Sequence, residues 1–181
     1  IQGGLTAIER IGELMEQPLE IIESPQAVPL QGSISGEIEF ENVSFSYRPD
    51  EPILRNLSFR IAPGEHVALV GPTGSGKTTV IRLLCRLYEP QQGRILLDGQ
   101  DIRTIPIADL RRQLGVVLQD TFLFSGNVSD NLRLDAEISD LELTRICRDL
   151  GLLGLLKRLP DGLQTQLRER GGNLSSGERQ L

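Results

Sequence analysis

Residues 71–78 constrain the fold of this chain more than any other stretch of its sequence. They are Gly71-Pro72-Thr73-Gly74-Ser75-Gly76-Lys77-Thr78, which fit the pattern G-x-x-x-x-G-K-T. A nearly continuous apolar run at residues 66–70 precedes the pattern, and residues 77–88 carry apolar side chains at helical spacing. This context predicts a strand, a glycine-rich loop and a helix in succession.

The residue types of the loop predict that it binds phosphate groups. Glycines let the backbone curl until successive N–H groups point into one concavity at a helix N-terminus, which attracts anions. Lys77 brings a positive charge to the outer phosphates, and the hydroxyl of Thr78 is suited to ligate Mg²⁺. The sequence therefore predicts binding of a nucleoside triphosphate, against the alternative of a merely flexible glycine loop.

Composition excludes several classes of protein. With 39% hydrophobic residues among 181, the chain is not disordered and suffices for about one domain. Its two cysteines exclude a scaffold built on disulfides. No stretch holds the roughly 18 uninterrupted apolar residues that a membrane-spanning helix needs. A net charge of −6 and an aromatic content of 4% argue against nucleic acid as a partner.

The two ends of the chain suggest a piece of a longer polypeptide. Residues 5–15 have apolar side chains at helical spacing, and a stretch rich in Pro, Gly and Ser follows them. We therefore expect a helix and a linker over residues 1–36. The chain begins with Ile1 rather than Met, and its last residues are typical of the first turn of a helix.

The remaining residues predict antiparallel strands first, then alternating strands and helices, then helices alone. Alternating apolar residues at 38–47 and 57–61 predict two strands, the first with a bulge near Asn42. Apolar runs at 66–70 and 115–118 predict strands covered on both faces in a parallel sheet. Beyond these, Ser139-x-x-Glu142 predicts the capped start of a helix that extends to about Leu150.

Three further sites, taken together with residues 71–78, resemble a known family. Gln119 follows the second apolar run, Tyr47 lies at the end of a predicted strand, and Leu174-Ser175-Ser176-Gly177-Glu178 leads into a helix. This set resembles the nucleotide-binding domain of ABC transporters. By that resemblance residues 71–78 are the Walker A motif, Gln119 is the Q-loop glutamine, and residues 174–178 are the signature motif.

The resemblance implies an α/β fold with a P-loop NTPase (RecA-like) core, an antiparallel β-subdomain and an α-helical subdomain. Residues 37–119 would form the β-subdomain and P-loop core, residues 120–181 the helical subdomain, and the C-terminal part of the core would be missing. Lys77 and Gln119 would be catalytic, and Thr78 and Gln119 would ligate Mg²⁺. The residues implied to bind ATP are Tyr47, Gly71, Pro72, Thr73, Gly74, Ser75, Gly76, Lys77, Thr78, Thr79, Gln119, Ser175, Gly177 and Glu178.

Tyr47 has two interpretations. In the family an aromatic residue at this place stacks on adenine, and its position just before Arg48-Pro49, at the strand end, favours that role. The alternative is a core tyrosine on the alternating face of the strand.

Three segments resemble the exporter branch of the family in particular. Residues 9–21 are similar to the linker after the last transmembrane helix, residues 120–131 to the segment after the Q-loop, and residues 165–171 to the loop that touches the coupling helices. The resemblance implies an exporter at the cytoplasmic face of a membrane, driven by ATP hydrolysis. Its partners would be a second nucleotide-binding domain, identical or not, and the transmembrane domain of the same polypeptide, where the transported substrate binds.

The departures from the family pattern leave alternatives open. Ser176 replaces a glycine and Glu178 a glutamine in the signature. In the family such changes occur in heterodimeric exporters, so the resemblance allows an unequal pair of ATP sites as well as an equal one. The family's general base lies beyond the signature, so we expect the 181 residues alone to bind nucleotide without turning it over. A soluble ABC-type ATPase of DNA repair or translation is the other alternative for the whole protein.

Overall fold

The computed structural model describes residues 21–30, 32–118, 122–134 and 136–180. They form two compact units, one ending at Gly115 and the other beginning at Val116. The helix predicted for residues 5–15 and the predicted Q-loop residue Gln119 lie outside the described residues. Among those described, no helix is long and apolar enough to cross a membrane.

A four-stranded antiparallel sheet is the frame of the first unit. Its strands are β1 (Ile38–Arg48), β2 (Glu51–Ile61), β3 (Gln92–Leu97) and β4 (Gln100–Asp101), in the order β2-β1-β3-β4. Phe40 of β1 lies opposite Phe59 of β2, and the two rings stack with centroids 4.6 Å apart. The register shifts between Phe40 and Val43, where Asn42 has a φ of 49°. The predicted bulge near Asn42 is confirmed.

Helices cover one face of this sheet and close its core. Helix α1 (Lys77–Leu84), a short 3₁₀ helix (Ile102–Thr104) and helix α2 (Ile107–Arg112) follow in chain order. Their apolar side chains pack with those of the strands in one cluster of buried residues: Phe40, Val43, Phe45, Leu54, Val80, Leu83, Ile95, Leu97, Ile102, Ile105 and Leu110.

Helix α1 ends at Leu84, four residues before the end predicted at Tyr88, because tertiary contacts stop it. Arg86 has a left-handed backbone with a φ of 48°, and its side chain is only 2% exposed. The guanidinium of Arg111 on α2 donates to the carbonyl oxygens of Cys85 and Arg86 at 3.1 and 3.0 Å. A cation at the C-terminal end of a helix satisfies carbonyls that have no partner within the helix.

The two apolar runs predicted as buried parallel strands are not strands in this structure. Residues 66–70 and 115–118 have no regular secondary structure, and Val70 and Val117 are 90% and 99% exposed. A strand needs a neighbour to pair its N–H and C=O groups, and no described segment pairs with either run. Every strand pair within the described ranges is antiparallel.

Residues 21–30 and 32–36, from the segment predicted as a linker, contribute contacts to the first unit. Leu30 and Ile34 pack on its core. The backbone N–H groups of Ser35 and Glu37 donate to the carboxylate of Asp98 at 2.6 and 2.8 Å. Burial alone would raise the pKa of Asp98, but these hydrogen bonds and that of the Ser35 hydroxyl outweigh it and lower the pKa below its ordinary value.

The second unit is mainly helical, as expected. It contains α3 (Val128–Arg133), α4 (Asp140–Asp149), α5 (Leu153–Leu156) and α6 (Ser176–Gln180), with a short antiparallel pair of β5 (Gly126–Asn127) and β6 (Gln166–Leu167). Ser139 caps α4, its hydroxyl oxygen accepting from the N–H of Glu142 at 3.2 Å. The helix start predicted from Ser139 and Glu142 is therefore confirmed.

Candidate nucleotide site

The glycine-rich loop leads directly into the N-terminus of α1. Gly76 precedes the helix with a φ of 89°, and a Cβ atom on it would lie 2.8 Å from Cδ2 of Leu54. Glycine therefore meets both a backbone and a steric requirement here. No side chain caps this end of α1, and its first turn contains no acidic residue. The positive end of the helix thus carries no built-in anion.

The Lys77 side chain reaches back across the loop. Its ammonium donates to the carbonyl oxygens of Gly71 and Pro72 at 2.8 and 2.7 Å, and the hydroxyl of Ser75 lies 3.4 Å from it. The loop is further held by a bond from the N–H of Ser75 to the carbonyl of Pro72 at 3.2 Å. A single cation is therefore fixed over a loop of exposed residues.

Thr78 and Thr79, side by side in the first turn of α1, have different surroundings. Thr78 is exposed, so its hydroxyl is accessible to a ligand. Thr79 is buried, and its hydroxyl lies 3.2 Å from that of Tyr47. Only the first has the accessibility that a metal ligand requires.

Tyr47, the next-to-last residue of β1, lies within an aromatic cluster and is still 42% exposed. Its ring meets those of Phe45 and Tyr88 edge to face, with centroid separations of 4.9 and 5.1 Å. Its hydroxyl accepts from Nη1 of Arg82 at 3.1 Å. Tyr47 thus belongs to a packed cluster and also exposes part of its ring beside α1, so both interpretations of this residue have support.

Arg82 is the residue of this site that the sequence analysis did not single out. It lies three positions after Thr79 on α1, and its guanidinium carbon lies 5.9 Å from the centre of the Tyr47 ring. The hydrogen bond to Tyr47 raises the pKa of Arg82 above its ordinary value. Helical spacing from Thr79 could have indicated it, but only the folded chain places Tyr47 against that face.

The signature residues lie in the second unit, at the start of α6. The carboxylate of Glu178 accepts from the N–H and the hydroxyl of Ser175 at 2.9 and 2.8 Å, and the N–H of Glu178 donates back to that hydroxyl at 3.3 Å. This reciprocal pair is a capping box. The backbone hydrogen bond from Ser175 is the main reason why the pKa of Glu178 is lowered. Gly177 is exposed beside them.

These residues fit a nucleoside triphosphate and Mg²⁺. The helix end without an acidic cap and the ammonium of Lys77 suit phosphate oxygens, and the exposed hydroxyl of Thr78 suits the metal. No group of three or more His, Cys, Asp or Glu residues that could hold a metal occurs in the described part of the chain. That is compatible with Mg²⁺, which is commonly bound by few protein groups together with phosphates and water.

A comparison with protein families decides the assignment. The family model described as ABC transporter matches residues 54–181, well over half of the chain. This chain belongs to the ABC transporter family. The resemblance inferred from the sequence is confirmed, as is the P-loop fold class, and members of this family bind ATP.

The relatives of this ABC ATP-binding domain include proteins described as transporters. The mitochondrial iron-sulfur clusters transporter ATM1 of Candida albicans is 44% identical over 99% of this chain and 26% of its own length. The fatty acid ABC transporter ATP-binding/permease protein of Mycobacterium tuberculosis is 40% identical over 100% of this chain and 28% of its own. The chain thus spans about a quarter of the length of such relatives.

A solved structure shows the same fold. The structure of a bacterial Atm1-family ABC exporter with ATP bound superposes with a TM-score of 0.88 at 38% identity, over 99% of this chain and 31% of that one. The described residues of this ABC domain therefore adopt the fold of a nucleotide-binding domain.

Proposed function

We propose that this domain binds ATP with Mg²⁺ and that the protein containing it couples ATP hydrolysis to export across a membrane. The observation that carries ATP binding is the Lys77 ammonium, fixed across the loop at an N-terminus of α1 that has no side-chain cap. Export is supported by the relatives, which include a structure described as an Atm1-family exporter.

Binding of the triphosphate uses groups that the loop already presents. The backbone N–H groups of residues 74–78 receive phosphate oxygens at the positive end of α1. Lys77 keeps its hydrogen bonds to the two carbonyl oxygens. A phosphate oxygen replaces its longest contact, which is the one of 3.4 Å to the hydroxyl of Ser75. Because the cation is already in place, little of its side-chain freedom remains to be lost on binding.

Mg²⁺, when bound, would supply positive charge that neutralises the charge developing during phosphoryl transfer. In this proposal Thr78 and Gln119 serve the metal, and Gln119 orients the attacking water. The signature residues Ser175 and Gly177 contact the ATP of a second nucleotide-binding domain. The Ser175 hydroxyl now donates to Glu178, so it must turn away from that carboxylate to donate to a phosphate.

The proposed partners follow from this arrangement. Two nucleotide-binding domains close over two ATP molecules, and hydrolysis lets them separate. The motion passes to a transmembrane domain of the same polypeptide, which binds the transported substrate, while this domain lies at the cytoplasmic face. Residues 165–171 are the proposed contact with that domain.

Substitution of the two lysines of the chain tests nucleotide binding. Lys77→Ala should weaken binding of a fluorescent ATP analogue in the presence of Mg²⁺ by about ten- to hundredfold, the usual effect of losing hydrogen bonds to a charged group. Lys157→Ala, at an exposed site in the second unit, is the matched control and should bind like the wild type. Equal binding by wild type and Lys77→Ala would refute the assignment of the loop.

A further inference from the structure

Two side chains of α1 hold the hydroxyl of Tyr47. Nη1 of Arg82 donates to the phenol oxygen at 3.1 Å, which leaves the phenol proton free to be donated to Oγ1 of Thr79 at 3.2 Å. Both partners belong to the helix whose first residue is Lys77. One helix thus carries the cation for the phosphates and the groups that fix the aromatic ring.

The contacts around the ring restrict its movement. Phe45 and Tyr88 pack edge to face against it with interplanar angles of 89° and 85°. Phe45 and Tyr88 contact the aromatic ring itself, whereas the two hydrogen bonds hold its hydroxyl group. Arg82 acts mainly through its hydrogen bond, since a guanidinium 5.9 Å from the ring centre is at the outer limit of a cation–π contact.

Thr79 and Arg82, the two hydrogen-bond partners of the Tyr47 hydroxyl, differ in burial and therefore in role. Thr79 is buried and belongs to the packed side of α1, whereas Arg82 is exposed. The burial of Thr79 fixes its hydroxyl in place. Arg82 instead has to give up the freedom of a long solvated side chain to make its bond with Tyr47.

We propose that Arg82 is a positioning residue for the nucleobase: it holds the hydroxyl of Tyr47 so that the exposed part of the ring stays aligned with the phosphate loop. This inference rests on the proposed binding of ATP and on stacking of adenine against Tyr47. Pre-aligning the ring reduces the conformational freedom lost on binding. Arg82 acts on the base alone and leaves the phosphates to the loop.

Comparison of ATP with inorganic tripolyphosphate tests this role, because only ATP carries a base. Calorimetric titration of both ligands with Mg²⁺ would use the 181-residue chain and the variant Arg82→Met, which keeps an apolar stem of similar length. Arg82→Met should weaken ATP binding by about three- to tenfold, the usual effect of one hydrogen bond. Binding of tripolyphosphate should stay within about twofold of the wild type, as expected for a site that keeps its contacts.

Matched variants show whether Arg82 acts through Tyr47. Tyr47→Phe removes the hydroxyl with its contacts to both Arg82 and Thr79, so it should weaken ATP binding at least as much as Arg82→Met does. The double variant should lose no more than Tyr47→Phe alone, because the hydroxyl on which Arg82 acts is already absent. Arg112→Met is the control for loss of an exposed positive charge, since the side chain of Arg112 is 77% exposed. It should bind both ligands like the wild type.

Three results would overturn the inference. One is unchanged ATP binding by Arg82→Met. Another is an equal loss for ATP and tripolyphosphate, which would mean that Arg82 acts on the phosphates through its charge. The third is an additive loss in the double variant. A wild-type chain that binds neither ligand would instead refute the proposed function itself.

Discussion

The buried guanidinium of Arg86 should be a main source of stability in the first unit. It is 2% exposed, and its Nη1 donates to the carbonyl oxygens of Ile102 and Ile105 at 3.2 and 2.9 Å. Its Nε donates to Glu89 at 2.9 Å. Through these bonds the end of α1 is tied to the 3₁₀ helix and to the turn after it.

Truncation to Arg86→Ala should lower the free energy of unfolding by about 2–4 kcal/mol. The main cost is the loss of the donor to two buried carbonyls, at about 1–3 kcal/mol for a group left without any partner. The carbonyl of Ile102 keeps a weak bond from the N–H of Ile105 at 3.4 Å, so the larger cost falls on Ile105. The Glu89 side chain is 37% exposed and regains water, so its loss of a partner adds little.

A second variant separates the side chain from the backbone. Arg86 has a φ of 48°, which is unfavourable for any residue with a Cβ atom. Arg86→Gly removes the same side chain and relieves this conformation, so it should be more stable than Arg86→Ala by about 1 kcal/mol. If alanine were the more stable of the two, the backbone part of the argument would be wrong.

Urea unfolding followed by tyrosine fluorescence measures these differences. The chain has two tyrosines and no tryptophan, and Tyr47 and Tyr88 both lie in the first unit, so the signal reports that unit. Arg112→Ala, at an exposed site on α2, is the control and should change stability by about 0.5 kcal/mol or less. A loss below about 1 kcal/mol in Arg86→Ala would show that other donors or water satisfy the carbonyls.

Tyr47, Asp98 and the release of phosphate from ATP are the subjects of three further predictions. Tyr47→Ala should weaken ATP binding by about 1–3 kcal/mol if adenine stacks on the ring; normal ATP binding with lower thermal stability would make Tyr47 a core residue only. The lowered pKa of Asp98 contributes stability above the ordinary pKa of the carboxyl group, and that contribution is lost as pH falls through the lowered value. Asp98→Asn should therefore make the free energy of unfolding fall less as the pH drops from the ordinary pKa through the lowered one. Urea titration at several pH values measures this, and an unchanged pH profile would contradict it. Finally, the isolated 181 residues should release no phosphate from ATP, and release that Lys77→Ala abolishes would reveal a general base within the chain.

Much of the site could be predicted from the sequence because its determinants are local. The spacing of Gly71, Gly76 and Lys77 specifies a loop and the start of a helix within eight residues, and glycine at 76 is needed for a φ of 89°. The cap at Ser139 and the bulge at Asn42 are likewise determined by near neighbours. Such features depend on backbone geometry over a few residues, which the residue types themselves restrict.

Only the tertiary structure decided which distant groups the long polar side chains contact. Nothing near Arg82 in the sequence indicates that it meets Tyr47, which is 35 positions away. Nor does the sequence around Arg86 indicate a buried cation bound to the carbonyls of Ile102 and Ile105.

The apolar runs at 66–70 and 115–118 also show that sequence and tertiary structure determine different properties. The sequence determined their hydrophobicity, but a strand forms only where a neighbour pairs its backbone groups, and no described segment does so. Local patterns therefore determine loops, caps and bulges. Pairing, burial and the partners of long polar side chains depend on which distant segments the folded chain brings together.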